Sequence, residues 1–600
     1  MSDYLLEIAF GPIQGFIAAS RRTADLWGGS RILSEIARAA ALSLLKDGAQ
    51  LIYPLQERID GVQPADSSNL SNVLLVQING SDETLVAEIA QRAMQAGKNV
   101  VVQYSAKAKQ DWRKLEIRED IWDKQVEDAV ENFAAWAKIE GDYNSAYKDL
   151  KAAFAARKNT RDFIPFAWDG EGIPKSSLDG LRETVLPPKA KQGEKPRRFP
   201  PQYRINEGEQ LDAIGCIKRY VGMSEKFTPL TRLAADPWLQ RLGDEILKQI
   251  CEAYEPLVAA GYATRVKGND ETYKDFPYDG ALLYQDRISK TIADTQKSGE
   301  DSNALEHLRA ILRGVWKEHQ HPSPYAALLM ADGDRMGKFI SAAKNAEEHT
   351  DISRALASFA DESIQHIREL RGHTVYAGGE DIMALLPLPA VVILARKLAK
   401  NFDERIAETK IAKQVTEVTK QRSTLRVGVA ICHVLEPLGT IRQYAEAAEK
   451  FAKGAAGSDK QGNALGLRLH VRAGHDIPCR IGFHDTQKFD LFADWMKAYE
   501  TDVFPGRLAY DTRAIGKHCK QRGYDPAVAQ AEFKLLLARA KQYSRDKNNS
   551  VWNKKHLVWN ELEEYIAHKD DTIAMLTELG NELVLARWMA AKNAADTGER

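Results

Sequence analysis

Two stretches of this chain alternate short apolar runs with helical spacing, one at the start and one from about residue 324. A mainly helical stretch separates them. In the first stretch Tyr4 to Phe10 reads as a strand closed by Gly11-Pro12. Ser30 reads as the N-cap of a helix carrying Ile32, Leu33, Ile36, Ala37, Ala40 and Leu44. Val73 to Val76 and Val100 to Val102 read as strands flanking a helix from Leu85 to Ala96. In the second stretch Tyr325 to Ala331 is an apolar strand, and Met336, Phe339, Ile340, Leu356, Phe359 and Ile367 mark helices. His373 to Ala377 and Ile382 to Leu386 are strands around a glycine turn. A helix at Val391 to Phe402, a strand at Leu425 to His433, a helix at Ile441 to Ala452 and a strand at Ala464 to Val471 follow. Beyond residue 475, Ala531 to Tyr543, Leu557 to Ile566 and Ile573 to Ala591 have the spacing of a helical bundle, and the polar tail after Asn593 is expected to fray.

The 600 residues can bury several cores, and 44% hydrophobic with 28% charged residues excludes disordered and fibrous classes. No apolar run approaches a membrane span, and the start lacks a basic secretion signal, so a cytoplasmic protein without a membrane partner is expected. A net charge of −1 neither demands nor excludes nucleic acid. A basic, Pro-rich stretch holds Lys189, Lys191, Lys195, Arg197 and Arg198, and it reads as a solvated loop or as a nucleic-acid contact. The five cysteines are far apart with no C-x-x-C pair, so buried reduced thiols are expected and not a zinc ribbon.

The chemistry lies in two acidic elements. Asp332-Gly333-Asp334 follows an apolar strand directly, at the carboxyl end where α/β folds place functional groups. Gly378-Gly379-Glu380-Asp381 links two apolar strands and projects adjacent carboxylates from a hairpin turn, where they serve no packing purpose. If the strands share a sheet, Asp332 and Glu380 converge on divalent cations, whose preference for hard oxygen ligands suits carboxylates and nucleotide phosphates alike. Each motif alone is ordinary; their placement in one β-α-α-β-hairpin-β frame makes the pair specific.

In that order the motifs resemble the palm domain shared by GGDEF-type cyclases and by the large Cas-ten subunit of type III CRISPR effector complexes. The opening Gly11-Pro12-Ile13-Gln14-Gly15-Phe16-Ile17, with Arg21-Arg22-Thr23-Ala24-Asp25-Leu26-Trp27-Gly28-Gly29-Ser30, is similar to the signature of the Cmr-type, type III-B members. Leu211 to Arg219, Tyr278-Asp279-Gly280, Pro322 to Tyr325, Val427 to Ala430 and Lys450 to Lys453 also read like that family. The resemblance implies an α+β protein with two ferredoxin-like palms. Its expected parts are a first palm at 1–115, a helical intervening domain at 116–320, a second palm at 321–475 and a C-terminal helical bundle at 476–600.

It also implies a cyclase site in the second palm facing the first. Asp332, Glu380 and Asp381 would be catalytic; Asp332, the Gly333 carbonyl and Glu380 would hold two Mg2+ or Mn2+ ions. Gly333, Asp334, Gly378, Gly379 and Lys453 would form the nucleotide-binding set, with the glycines making room and Lys453 near the triphosphate. ATP would be the substrate, S-adenosylmethionine an alternative acceptor, and cyclic oligoadenylate or a related adenylyl messenger the product. The implied partners are the other subunits of a type III-B complex, guide RNA and target RNA.

Departures from the family are also visible. With the palm signature starting at residue 11, an N-terminal histidine-aspartate nuclease domain is not expected, and His475-Asp476 and His484-Asp485 lack the spacing of a metal nuclease, so nuclease activity is not expected either. The four zinc-binding cysteines of many relatives are missing, and the usual Asp-Asp after Gly-Gly is Glu380-Asp381. Leu26 and Trp27 read as core. Arg21, Arg22 and Arg31 read equally as phosphate or RNA contacts and as a helix coat. Rival readings are a catalytically silent scaffold of the same complex and a free-standing nucleotide cyclase.

Overall fold

The computed structural model describes residues 2–598 apart from 61–69, 161–171, 189–198, 201–202, 206–207, 225–226, 267–271, 420, 456–460, 473, 475, 545–555 and 568–571. The basic residues Lys189, Lys191, Lys195, Arg197 and Arg198 therefore lie outside the described residues.

The first sheet consists of β1 (Ser2–Gly11), β2 (Gln50–Tyr53), β3 (Val73–Ser81) and β4 (Glu131–Lys138) in the order β2-β3-β1-β4, every pair antiparallel. Helices Thr23–Lys46 and Glu83–Trp112 are the two crossovers of a ferredoxin-like β-α-β-β-α-β unit. Leu6, Ile8 and Phe10 face them, while Leu5, Ala9, Ile52 and Leu75 form a separate core with Tyr147, Leu150 and Phe154 of helix Tyr143–Asn159. Strand alternation thus buries both faces of β1.

The second sheet repeats the plan. Its strands are β5 (Tyr325–Asp334), β6 (His373–Gly378), β7 (Asp381–Leu386), β8 (Thr424–His433), β9 (Ala464–His470) and β10 (Ile477–Gly482), in the order β10-β9-β8-β5-β7-β6. Ala327, Leu329 and Ala331 face helices Ala346–Glu369 and Val391–Ala407. Ala326 and Leu328 face the core that continues into the first palm. Helices between 213 and 319 form the intervening layer, and those from Thr486 to Met589 pack on the second palm as a bundle. Among the described residues no helix is long and apolar enough to cross a membrane.

Several local expectations are corrected. Val100–Val102 lie inside the helix Glu83–Trp112, with Val101 buried and Val102 54% exposed, so tertiary packing overrides the β-propensity of a valine run. The fourth strand of the first sheet is instead Glu131–Lys138, beyond residue 115 and inside the stretch expected to be helical. Ser30 is no N-cap: the helix begins at Thr23 with Asp25 in a capping box, and Ser30 is buried in its middle. A Cβ on Gly28 would stand 2.5 Å from the Lys218 carbonyl oxygen, so Gly28 serves the crossing of two helices and not a turn. The tail after Asn593 is ordered by an Asn593 capping box and a hydrogen bond of 2.9 Å from the Ala594 amide to the His321 carbonyl.

Of the five cysteines, Cys216, Cys432, Cys479 and Cys519 are buried thiols, whereas Cys251 is half-buried. Asp485 caps the helix Thr486–Glu500, and Asp476 pairs with Arg468 at 2.7 Å; His475 lies outside the described residues.

Candidate active site between the palms

Gly379 (φ +73°) and Glu380 are the two residues between the paired Gly378 and Asp381, the glycine-first pattern of a type II′ hairpin. A Cβ on Gly333 would lie 3.0 Å from Glu380 Cβ, so a glycine there lets the hairpin carboxylate sit beside the end of β5. One residue beyond the pair Ala331–Ile382, the same register sets Asp332 opposite Asp381, and on the other side Asp332 pairs with Arg426 of β8. Asp381, Asp332 and Arg426 therefore form one row across three strands.

Arg426 and Glu449 escaped the sequence reading. The Arg426 guanidinium is ion-paired with Asp332, with Asp334 at 2.8 Å and with Glu449 of helix Leu438–Lys453. No local signal marks an arginine in a strand or a glutamate on an amphipathic helix as a site residue; their meeting depends on strand pairing. Asp334 also accepts from Thr424 Oγ1 (2.9 Å) and from the Asn463 amide (3.0 Å) and is buried, so its carboxylate braces β5 to β8.

Gly378, Glu380 and Asp381 open into a cavity of about 290 Å³ whose opposite wall belongs to the first palm: Glu7, Ile52, Tyr53, Val73 and Leu75, with Tyr147 and Lys151 from the helix behind. Polar contacts close the palms around it. Asn144 Nδ2 donates to the carbonyls of Ser341 (3.0 Å) and Ala343 (2.8 Å), and Arg58 pairs with Asp361. His349 lies 2.7 Å from the Ile340 carbonyl and 2.8 Å from the Tyr143 hydroxyl, and burial lowers its pKa, so it stands as a neutral ring. Within the cavity Lys151 pairs with Glu7 at 2.9 Å.

The space beside Gly378 is filled by the Tyr376 hydroxyl, and a Cβ on Gly379 would meet the Tyr53 hydroxyl at 3.4 Å and Leu356 at 3.9 Å, so Gly379 is required for its positive φ and does not line the cavity. Lys453 is exposed at its helix end and does not line the cavity, although its charge acts on Asp334.

Burial raises the pKa of Glu380. Asp381 faces solvent through the cavity, yet the low-dielectric walls, then Glu380 and then Glu449, push it up to about 7. Among the described residues no three His, Cys, Asp or Glu side chains stand as a metal-binding group, and Asp332 is ion-paired with Arg426. The donors nevertheless fit a hard cation: they are carboxylates, and their mutual repulsion already raises Asp381.

Comparison with known proteins agrees with this geometry. Residues 325–462 match the family model described as Cas10/Cmr2, second palm domain, and residues 5–132 match CRISPR-associated protein Cmr2, N-terminal. The CRISPR system Cmr subunit Cmr2 of Pyrococcus furiosus is 22% identical over 582 residues, covering 80% of this chain and 63% of that protein; the chain thus spans under two thirds of that relative's length. Two cryo-EM structures of type III-B Cmr-beta share the fold. The apo state has a TM-score of 0.60 at 13% identity, with 92% of this chain and 78% of that one covered. The state bound to cognate target RNA has a TM-score of 0.58 at 12% identity, with coverage of 92% and 80%. Both family models fall in order on the two sheets, so the chain carries an N-terminal region similar to that of Cmr2 and a second sheet domain similar to the second palm of Cas10/Cmr2 proteins.

Proposed function

We propose that the chain is the large subunit of a cytoplasmic type III-B CRISPR effector complex with guide and target RNA. In this reading the cavity between its palms converts ATP to cyclic oligoadenylate or a related adenylyl messenger when target RNA binds. The observation that carries this is the opening of Gly378, Glu380 and Asp381 into a cavity walled on its far side by the first palm, large enough for part of a nucleotide.

Asp332, the Gly333 carbonyl and Glu380 would hold Mg2+ or Mn2+, which when bound would neutralise phosphate charge and favour ionisation of a ribose hydroxyl. The chain itself contributes the rest. Gly378 would let the nucleotide approach the hairpin backbone, Gly379 would shape its turn, and Tyr53 and Tyr376 line the same cavity with hydroxyls kept protonated by burial. The Asp381 carboxylate, titrating at about 7, can take up the proton that a hydroxyl loses. Asp334 holds β5 in place through Thr424 and Arg426, and Lys453, at the end of its helix, would meet a triphosphate reaching out of the cavity.

The test is reconstitution with guide and matched target RNA, then labelled ATP with Mg2+ or Mn2+, with and without S-adenosylmethionine, and mass spectrometry of products. A target-dependent adenylyl product is expected from wild type and not from Asp332→Ala/Glu380→Ala. Equal silence of both, with RNA binding intact, would establish the scaffold reading instead.

A further inference from the structure

Away from the acidic cavity, three hollows share lining residues and form one run. The first, about 530 Å³, lies between helix Thr23–Lys46, the intervening layer and the segment after β8; Arg287 and Val434 line it and also the second, about 160 Å³. Gln285 and His321 line both the second and the third, about 260 Å³. Ten arginine or lysine residues line the run against four aspartates or glutamates, in a chain whose net charge is −1. None of its residues lines the acidic cavity.

Much of this positive charge is uncommitted. Arg21, Arg287, Arg313 and Lys317 make no ion pair with another described residue, and all four are exposed. Arg472 pairs only distantly with Glu436, at 3.7 Å. The potential is felt inside the fold: burial, then Arg472 and Arg287, lower the pKa of His433 to about 4. His321 packs its ring on Trp316 with centroids 4.8 Å apart, at the junction of the second and third hollows.

A single phosphate would occupy one hollow. Cations spaced through three adjoining hollows, with an aromatic ring among them, match a ligand carrying a charge at every repeat and flat bases between. We propose that this run is the bed of a single strand of RNA, its phosphates held by Arg21, Arg287, Arg472, Arg313 and Lys317 and a base laid against His321. The choice of RNA over DNA rests on the proposed role in an RNA-guided complex; the phosphodiester chemistry does not.

The experiment uses the full chain, a fluorescein-labelled single-stranded RNA of about 20 nucleotides and fluorescence anisotropy over a range of salt concentrations. The variants are Arg287→Glu/Arg472→Glu and Arg313→Glu/Lys317→Glu, at exposed positions and checked by thermal melting. Each double variant is expected to weaken RNA binding about tenfold or more and to flatten the slope of log K against log salt by about 1.4, the loss of two single-strand phosphate contacts.

RNA made with 4-thiouridine should crosslink in the wild type to peptides carrying Arg287, Arg313 or Lys317. Wild-type binding that both variants retain, or crosslinks confined elsewhere, would overturn the bed while leaving an RNA partner in place. A wild type that binds no RNA would overturn both. Binding of DNA of the same sequence but not of RNA would overturn the RNA assignment.

Discussion

Arg426 shows how the charge on one side chain is set by its neighbours. Only 13% exposed, it balances Asp332, Asp334 and Glu449, whereas Glu380 and Asp381 at the adjoining hairpin have no such counterion among the described residues, and Glu380 presses on Asp381. A carboxyl whose folded pKa is raised to about 7 binds its proton more tightly folded than unfolded, so it lowers stability as pH climbs from the ordinary carboxylate range towards 7. Asp381→Asn should therefore flatten the fall in melting temperature of the metal-free chain between pH 5 and pH 7.5, measured by differential scanning calorimetry. An unchanged profile would mean that Asp381 is ionised throughout. The positions of Asp332, Glu380 and Asp381 at a strand end and a hairpin turn were legible in the sequence because such carboxylates do no packing; Arg426 and Glu449 look like any surface pair until the strands are paired.

At the level of elements, glycines decide where helices lie. Gly428 of β8 stands beside Gly466 of β9 in the parallel pair, and a Cβ on either would enter the backbone of helix Leu438–Lys453, at Glu449 and at Ala448 respectively. This glycine-lined saddle lets the helix settle onto the sheet and bring Glu449 to Arg426. Gly428→Ala should cost about 1–3 kcal/mol by overpacking, seen as a lower denaturant midpoint. No loss would mean that the helix rides freely. The helix and both strands were readable from periodicity, but the closeness of their contact was not, since a glycine in a strand signals equally a bulge or a close approach.

For the molecule as a whole, the decisive contacts join segments distant in sequence. Asp236 of the intervening layer is fully buried and accepts from Arg232 (2.5 Å) and, through both oxygens, from Arg371 at the turn before β6 (2.7 and 2.9 Å). Burial alone would raise its pKa, but the two guanidiniums hold it below the ordinary value. Its stabilisation is thus present above the ordinary carboxylate range and lost as pH falls through the lowered one. Asp236→Asn strands the buried Arg232 charge and should cost about 3–5 kcal/mol near pH 7, with the gap to wild type closing in acid, measured by denaturant titration at both pH values. A gap independent of pH would rule out the charge as the cause.

By itself the sequence determined the second β-α-β-β-α-β unit, the opening strand and helix of the first, the helical stretches between and after them, and the acidic hairpin, because strand alternation, helical spacing and glycine turns are local patterns. Only the tertiary structure decided that β4 completes the first sheet from beyond residue 115, that the hairpin opens toward Tyr53, and that Arg426 sits among Asp332, Asp334 and Glu449. Those depend on strand order and on the packing of one sheet against another, and the energies that set them come from burial and charge pairing between residues far apart in the chain.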